Sequence, residues 1–221
     1  MSVPSKRITY AQVRSHFHDG MSVLFGGFLG AGTPAGIVRE LLDSGVKDLT
    51  LIGNDTGMSG NGVSCLVANH RVKKLIASHI GTNPETGRQM MAKELEVELV
   101  PQGTLAERIR CGGAGLGGVL TQTGIGTIVE EGKRKITLDG VQYLIETALR
   151  ADLAILKAHR ADEKGNLVYQ RAARNFNPLV AMAADFVVAE VDELVPAGEL
   201  DPEQVVTPGV VVDALILAEE K

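Results

Sequence analysis

The residues best suited to chemistry in this chain are a glycine-rich stretch, Gly26-Gly27-Phe28-Leu29-Gly30-Ala31-Gly32, and three polar segments carrying Asn54-Asp55, His79 and Gln102-Gly103-Thr104. Four glycines fall within seven residues, between the apolar run Met21 to Phe25 and the pair Thr33-Pro34. Glycines between a buried strand and a helix start leave backbone N–H groups close to whatever binds there. Such donors suit an anion, a phosphate or a developing oxyanion, and the glycines alone leave the three open. The carboxamides of Asn54 and Gln102 would add neutral donors for a carboxylate or acyl oxygen, without competing as nucleophiles. The plainer alternative for both is that they tie their own loops together.

Several other chemistries fail on spacing. Gly30, Gly32 and Gly36 approach a dinucleotide fingerprint, with Asp55 after the next strand where a ribose-binding acid would sit. The spacing is one residue too long, however, and Gly26-Gly27-Phe28 separate the strand from Gly30. Gly126 and Gly132-Lys133 resemble a phosphate loop, but five residues separate the glycines and Arg134 stands where Ser or Thr belongs. His16, His18, His70, His79 and His159 form no metal-binding spacing, so no metal is expected. No G-x-S-x-G elbow occurs. Cys111 reads as a buried structural thiol rather than a nucleophile. Arg71, Lys73 and Lys74 read as a solvated face, with a phosphate contact as the alternative.

These residues need a frame. Thr33 occupies the expected helix N-cap and Pro34 the first helical position, with the helix running to about Asp43 and stopping at Gly45. Short apolar runs at Leu49–Ile52, Leu75–Ala77, Val97–Val100, Leu153–Leu156 and Phe186–Ala189 predict buried strands. Helical patterns at Pro84–Leu95, Leu105–Arg110 and Pro178–Ala184 alternate with them. That alternation predicts an open, mainly parallel α/β sheet with flanking helices. Residues 135–144 alternate on both sides of Asp139-Gly140, which predicts a hairpin at an antiparallel edge. No linker or repeat divides the chain, so residues 1–221 are expected to form one domain. In such sheets ligands gather beyond the C-terminal strand ends, where the glycine stretch and the three polar segments should meet. Six of the seven residues Gly112–Gly118 are glycine or alanine, which suggests close approach by another surface; a flexible loop is the alternative.

Composition narrows the function. A net charge of −5 gives no reason to expect nucleic acid or an anionic membrane as partner. Two cysteines are too few for a disulfide framework, which favours a reducing cytoplasm. No signal peptide and no apolar run of about 18 residues is visible, so a soluble protein is expected.

The order Asp-Gly, two residues, three apolar residues, Gly-Gly-Phe, three residues, Gly, one residue, Pro runs from Asp19 to Pro34. It resembles the signature of family I coenzyme A-transferases at every position. The likeness continues through residues 51–57, 78–84, 100–107 and 111–118, then Ala173-Arg174-Asn175-Phe176-Asn177-Pro178 and Val206-Thr207-Pro208-Gly209. It is similar to the alpha subunits of the acetate, acetoacetate and butyrate enzymes. The resemblance implies a CoA-transferase-like fold and transfer of coenzyme A between an acyl-CoA and a short-chain carboxylic or 3-oxo acid. It implies no permanently bound cofactor, with coenzyme A and acyl-CoA as substrates. Residues Gly26 to Gly32 would lie against the acyl-CoA, and Asn54, Gln102 and Gly115 would position the substrate, the Gly112–Gly118 run lying near the partner. The family's nucleophile is a glutamate in a Ser-Glu-Asn-Gly motif on the beta subunit, and this chain contains no Glu-Asn pair. Glu85 and Glu107 are the alternative nucleophiles, but each sits at a helix start where Glu favours the dipole. The expectation is therefore half an enzyme, requiring that partner and working by a ping-pong route. A stand-alone sugar-phosphate isomerase-like enzyme and a non-catalytic ligand-binding domain are the other readings.

Overall fold

The structure is a computed structural model and describes residues 5–219. Along the chain run α1 (Tyr10–Val13), β1 (Ser22–Phe25), α2 (Ala35–Ser44), β2 (Leu49–Asp55), α3 (Ser64–Ala68), β3 (Val72–His79), α4 (Pro84–Met91), β4 (Glu96–Leu99) and α5 (Gln102–Gly113). There follow β5 (Gly118–Thr121), β6 (Lys135–Leu138), β7 (Val141–Thr147), β8 (Ala151–Asp162), β9 (Leu167–Val168), α6 (Asn177–Val180), β10 (Ala184–Val195) and β11 (Ala214–Leu217).

The large sheet has the order β11-β10-β8-β1-β2-β3-β4, parallel throughout, with the short β9 antiparallel on β8. All five predicted strands are present, four of them embedded in longer ones, while β4 has the predicted length but begins one residue earlier and ends at Leu99. Alternate residues of each strand enter opposite cores. Val23, Phe25, Leu51, Leu75, Leu153 and Ile155 pack on one face with Ile37, Val38 and Leu41 of α2. Leu24, Ile52, Ile76, Ala154 and Leu156 pack on the other with Leu105 and Ile109 of α5 and Val180 of α6. Burial on both faces is why these strands read as unbroken apolar runs.

The start of α2 differs from expectation. Ala35 is its first helical residue and Pro34 the N-cap, with no side-chain cap from Thr33. The cap comes instead from a distant strand: the Ile37 amide donates to Glu190 Oε2 at 3.0 Å. Gly45 closes the helix as predicted, at φ +81, its amide donating to the Leu42 carbonyl at 3.2 Å. Helix α5 begins earlier than predicted, at Gln102, while α4 stops at Met91 and α6 spans Asn177–Val180.

The hairpin turns at Asp139-Gly140 and is antiparallel, Ile136 facing Tyr143 and Leu138 facing Val141. It pairs with β5, forming a three-stranded sheet in the order β5-β7-β6 that is separate from the large one. Leu144 and Glu146 on its inner face are buried, and Arg108 of α5 donates to the Thr147 carbonyl at 2.8 Å. The apolar side of the alternation, with Ile136, Leu138 and Val141, faces outward and is exposed. Alternation identified the hairpin but not which face is inside.

Candidate functional site

From β1 the chain order runs outward in both directions, through β2, β3 and β4 on one side and β8, β10 and β11 on the other. The gap between β1 and β8 is therefore the switch point of the sheet, where a crevice opens beyond the C-terminal ends. The glycine loop leaves β1 there. Two asparagines from the segment preceding and opening α6 fasten it. Asn175 accepts from the Gly27 amide at 3.0 Å and donates to the Ala31 carbonyl at 2.8 Å. Asn177 donates to the Gly32 carbonyl at 2.9 Å and accepts from the Lys157 amide of β8 at 2.9 Å. A Cβ on Gly26 would fall 1.8 Å from Asn177 Oδ1, and one on Gly32 would fall 2.9 Å from Ala173 Cα. These two glycines are required by the clamp itself.

Most of the loop's amides are spent inside the chain, contrary to the expectation of an open row of donors. Gly26 donates to the Ile155 carbonyl, Gly27 to Asn175, Phe28 to the Ala31 carbonyl, Ala31 back to Phe28, and Leu29 to Asp55. The amides of Gly30 and Gly32 have no acceptor among the described residues. Gly30 is at φ +90 with no atom within 4 Å of a built Cβ, so it lies open. Phe28 and Leu29 are exposed. Among the described residues the loop amides left for a ligand are thus those of Gly30, on the open turn, and of Gly32, beside the asparagine clamp.

Asp55 joins this loop to the neighbouring ones. It closes β2 and is 3% exposed. Its carboxylate accepts from the Leu29 amide at 3.3 and 3.2 Å, the Gly57 amide at 2.6 Å and Asn54 Nδ2 at 2.6 Å. These donors satisfy the oxygens of a side chain that has almost no access to water. From Asn54 the connection continues: Ser78 Oγ lies 2.9 Å from the Asn54 carbonyl oxygen and 3.3 Å from its Oδ1, and is in hydrogen-bond contact with Gln102 Oε1. The structure therefore brings Asn54 and Gln102 together and links them through Asp55 to the glycine loop. Asn54 is buried and Gln102 exposed, so Gln102 is the member of the pair that a ligand can reach.

Gly115 does not join this group. It follows the far end of α5 from Gln102, about 18 Å along a 12-residue helix. Its φ of +71 and the Leu116 amide bonded to the Cys111 carbonyl at 2.8 Å make it a helix terminator. In the same run Gly112 and Gly113 are approached by this chain's own Leu149 and Met182, with built Cβ distances of 1.9 and 2.7 Å. Close packing at Gly112 and Gly113 is thus met from within the chain, while Gly115 and Gly117 have no atom of the chain within 4 Å of a built Cβ.

The remaining reactive residues are accounted for locally. The Arg88 guanidinium beside Glu85, at 2.8 Å, and the Gln89 amide hold its carboxyl down at about 2. Glu107 pairs with Arg110 at 2.8 Å on the helix surface. The Cys111 thiol is buried and contacts the Gly118 carbonyl at 3.4 Å. Arg71 donates to the Gly45 carbonyl and Lys74 pairs with Glu96, both toward the strand edge opposite the glycine loop. Among the described residues no helix is long and apolar enough to cross a membrane.

Beside the loop, a cleft of about 540 Å³ is lined by Tyr10, Thr33, Arg39, Lys157, Glu190 and Asp192. Lys157 sits between Glu190 at 3.3 Å and Asp192 at 2.6 Å. Burial and the nearby Glu190 carboxylate push the Tyr10 hydroxyl well above its usual range. Glu190 is thus committed to capping α2 and to Lys157.

Ser78, Asn175 and Asn177 are contributors to which residue-by-residue reading assigned no role, whereas Asp55 was expected among the polar segments meeting here but not as the group that ties the loops together. The usable signals were the strand-end position of Asp55 and the Asn-Phe-Asn-Pro order at 175–178.

Comparison with known proteins bears on this arrangement. The family model described as coenzyme A transferase matches residues 8–218. The acetate CoA-transferase subunit alpha of Escherichia coli K12 is 59% identical over 216 residues, covering 98% of each chain. The acetoacetyl-CoA:acetate/butyrate CoA transferase alpha subunit of Clostridium acetobutylicum is 50% identical over 212 residues, covering 96% of this chain and 97% of the other. Among solved structures, an acyl-CoA transferase of E. coli O157:H7 in a thioester complex with CoA superposes with a TM-score of 0.83 at 20% identity. That likeness covers 99% of this chain and 49% of the other, so the present chain spans about half of that one and shares its fold.

Proposed function

We propose that this chain, which belongs to the coenzyme A transferase family, is the subunit that positions substrate in an enzyme moving coenzyme A between an acyl-CoA and a short-chain carboxylic or 3-oxo acid. Acetate, butyrate and acetoacetate are the acids that the similar alpha subunits favour as a reading. The nucleophilic glutamate is assigned to a partner beta subunit with a Ser-Glu-Asn-Gly motif. One observation carries the division of labour: the carboxylate in the group around the glycine loop, Asp55, is buried and already accepts from Leu29, Gly57 and Asn54. It has no capacity left to attack a carbonyl. What the group offers a substrate is neutral donors.

In the proposed ping-pong route the partner's carboxylate attacks the thioester carbonyl and expels the CoA thiolate, leaving an acyl-glutamyl anhydride. The thiolate then attacks the glutamyl carbonyl, releasing the donor acid and leaving a glutamyl-CoA thioester, and the acceptor acid reverses these steps. Each tetrahedral intermediate places negative charge on an oxygen. The Gln102 carboxamide and the free amides of Gly30 and Gly32 are the groups assigned to that oxygen and to the incoming carboxylate. Their charge neutrality matters, because a cation there would stabilise the ground-state carboxylate as well.

Reconstitution tests the assignment. The purified chain alone should show no exchange between acetoacetyl-CoA and acetate, and adding a partner with the Ser-Glu-Asn-Gly motif should restore it. Robust transfer by the isolated chain would overturn the assignment, and turnover of a phosphorylated sugar without a partner would replace it.

A further inference from the structure

We propose that Ser78 is a positioning residue that acts through Gln102, holding the carboxamide with its NH2 group outward, toward the oxygen on which charge develops. The inference deepens the proposed function and rests on its reading of Gln102.

Gln102 is the first residue of α5 and its side chain is exposed, with Ser78 as its hydrogen-bond partner among the described residues. An exposed glutamine without such a partner samples several rotamers, and either end of its amide can face the solvent. Ser78 is better fixed. It lies half-buried near the end of β3, between the rungs Gly53↔Ala77 and Asp55↔His79, which set it beside Asn54.

The hydroxyl of Ser78 has one proton and three oxygen neighbours: the Asn54 carbonyl, Asn54 Oδ1 and Gln102 Oε1. Asn54 cannot relieve this by turning its amide, because its Nδ2 is bonded to the Asp55 carboxylate at 2.6 Å. Two arrangements follow. If the proton goes to Gln102 Oε1, the NH2 of Gln102 points outward as a donor. If it goes to Asn54, Gln102 must turn its NH2 inward to Ser78, and its carbonyl oxygen points outward. A developing oxyanion is stabilised by the first and repelled by the second. Asp55 thus fixes Asn54, Asn54 fixes the surroundings of Ser78, and Ser78 selects which end of Gln102 the substrate meets.

A double-mutant cycle in the reconstituted complex tests this. Ser78→Ala should lower kcat by about 10- to 100-fold with little change in KM for acetoacetyl-CoA, less than the roughly 100- to 1,000-fold that follows outright loss of an oxyanion donor, because Gln102 still samples the productive orientation. Made in a Gln102→Ala background, Ser78→Ala should have no further effect beyond about twofold. Thermal melting and size-exclusion of each complex verify assembly, and Ser78→Cys repeats the comparison at nearly unchanged volume. If Gln102→Ala is impaired but Ser78→Ala is neutral, or keeps its full effect without Gln102, the positioning role falls while the reading of Gln102 stands. If Gln102→Ala keeps wild-type kcat/KM, that reading falls and takes this inference with it.

Discussion

The backbone amide of Leu29 lies across both carboxylate oxygens of Asp55, at 3.3 and 3.2 Å, although the two residues belong to different loops of the sheet edge. Leu29 adopts φ +50, a left-handed conformation unusual for a branched side chain. The bond to Asp55 offsets part of that cost and pins the turn that carries the free Gly30 amide. Asp55→Asn keeps the shape but presents an NH2 group to amides that need an acceptor. The variant should lose about 1–3 kcal/mol of stability, the usual penalty for a buried donor left unpaired. Its complex should also lose kcat/KM by more than melting explains at the assay temperature. Urea unfolding and steady-state kinetics on the same preparation check both, and a variant as stable and active as wild type would show that the bond is dispensable.

Two glycines of the loop should respond differently to the same change. A Cβ on Gly27 would lie 2.4 Å from Thr33 Oγ1, with φ at +129, so Gly27→Val must displace the segment entering α2. Gly30 is also left-handed, at φ +90, but its Cβ would meet nothing. Gly30→Val should therefore cost about 1–2 kcal/mol from backbone strain alone, still assemble, and block approach to the free amides. Gly27→Val should melt markedly lower or fail to accumulate. Equal melting temperatures with equal activities in the two variants would contradict the distinction.

Much of the frame was legible because it depends on local signals. Leu49–Ile52 and Leu153–Leu156 are buried on both faces, so their apolar runs identify strands without further context. Gly45 marked a helix end because the left-handed cap favours glycine. The full length of β8 and β10 was hidden. Their outer halves carry Lys157, Arg160, Glu190 and Glu193, which break the apolar runs but pair across the strands, Glu190 opposite Lys157 and Glu193 opposite Arg160. The glycine loop was visible as a feature, whereas its stock of free donors was not. That depends on Asp55, 26 residues from Leu29, and on Asn175, 148 residues from Gly27. Gly115 entered through the family resemblance alone, and the local structure shows it ending α5.

Asn54 and Gln102, predicted together, should separate on mutation. Asn54 is 2% exposed and bonded to Asp55 and Ser78, so Asn54→Ala leaves buried groups without partners. It should destabilise the subunit by about 1–3 kcal/mol and slow thioester formation indirectly. Exposed Gln102→Ala should leave melting within about 0.5 kcal/mol of wild type, while kcat and kcat/KM fall together. Single-turnover trapping of the glutamyl thioester, beside urea curves, separates the two. A rise in KM for acyl-CoA at constant kcat in Gln102→Ala would move that residue from the reacting oxygen to the binding path.

Glu85 supplies a control with a pH signature. Its carboxyl is held at about 2, against an ordinary 4.5, chiefly by its hydrogen bonds to Arg88 and Gln89. A folded-state value below the unfolded one means that the ionised group favours the native state. The contribution is complete above about 4.5 and disappears as pH falls through that value toward 2. Because the pair is exposed and screened by solvent, the effect belongs to surface electrostatics and weakens with salt. Glu85→Gln should therefore unfold at lower urea than wild type at pH 7, with the gap shrinking by pH 3. Transfer activity in the reconstituted complex at neutral pH should be unchanged, since a carboxylate so firmly held by Arg88 is a poor nucleophile and lies outside the group around Gln102. Loss of transfer in a folded, assembled Glu85→Gln complex would instead place a nucleophile on this chain and remove the reason for assigning one to the partner.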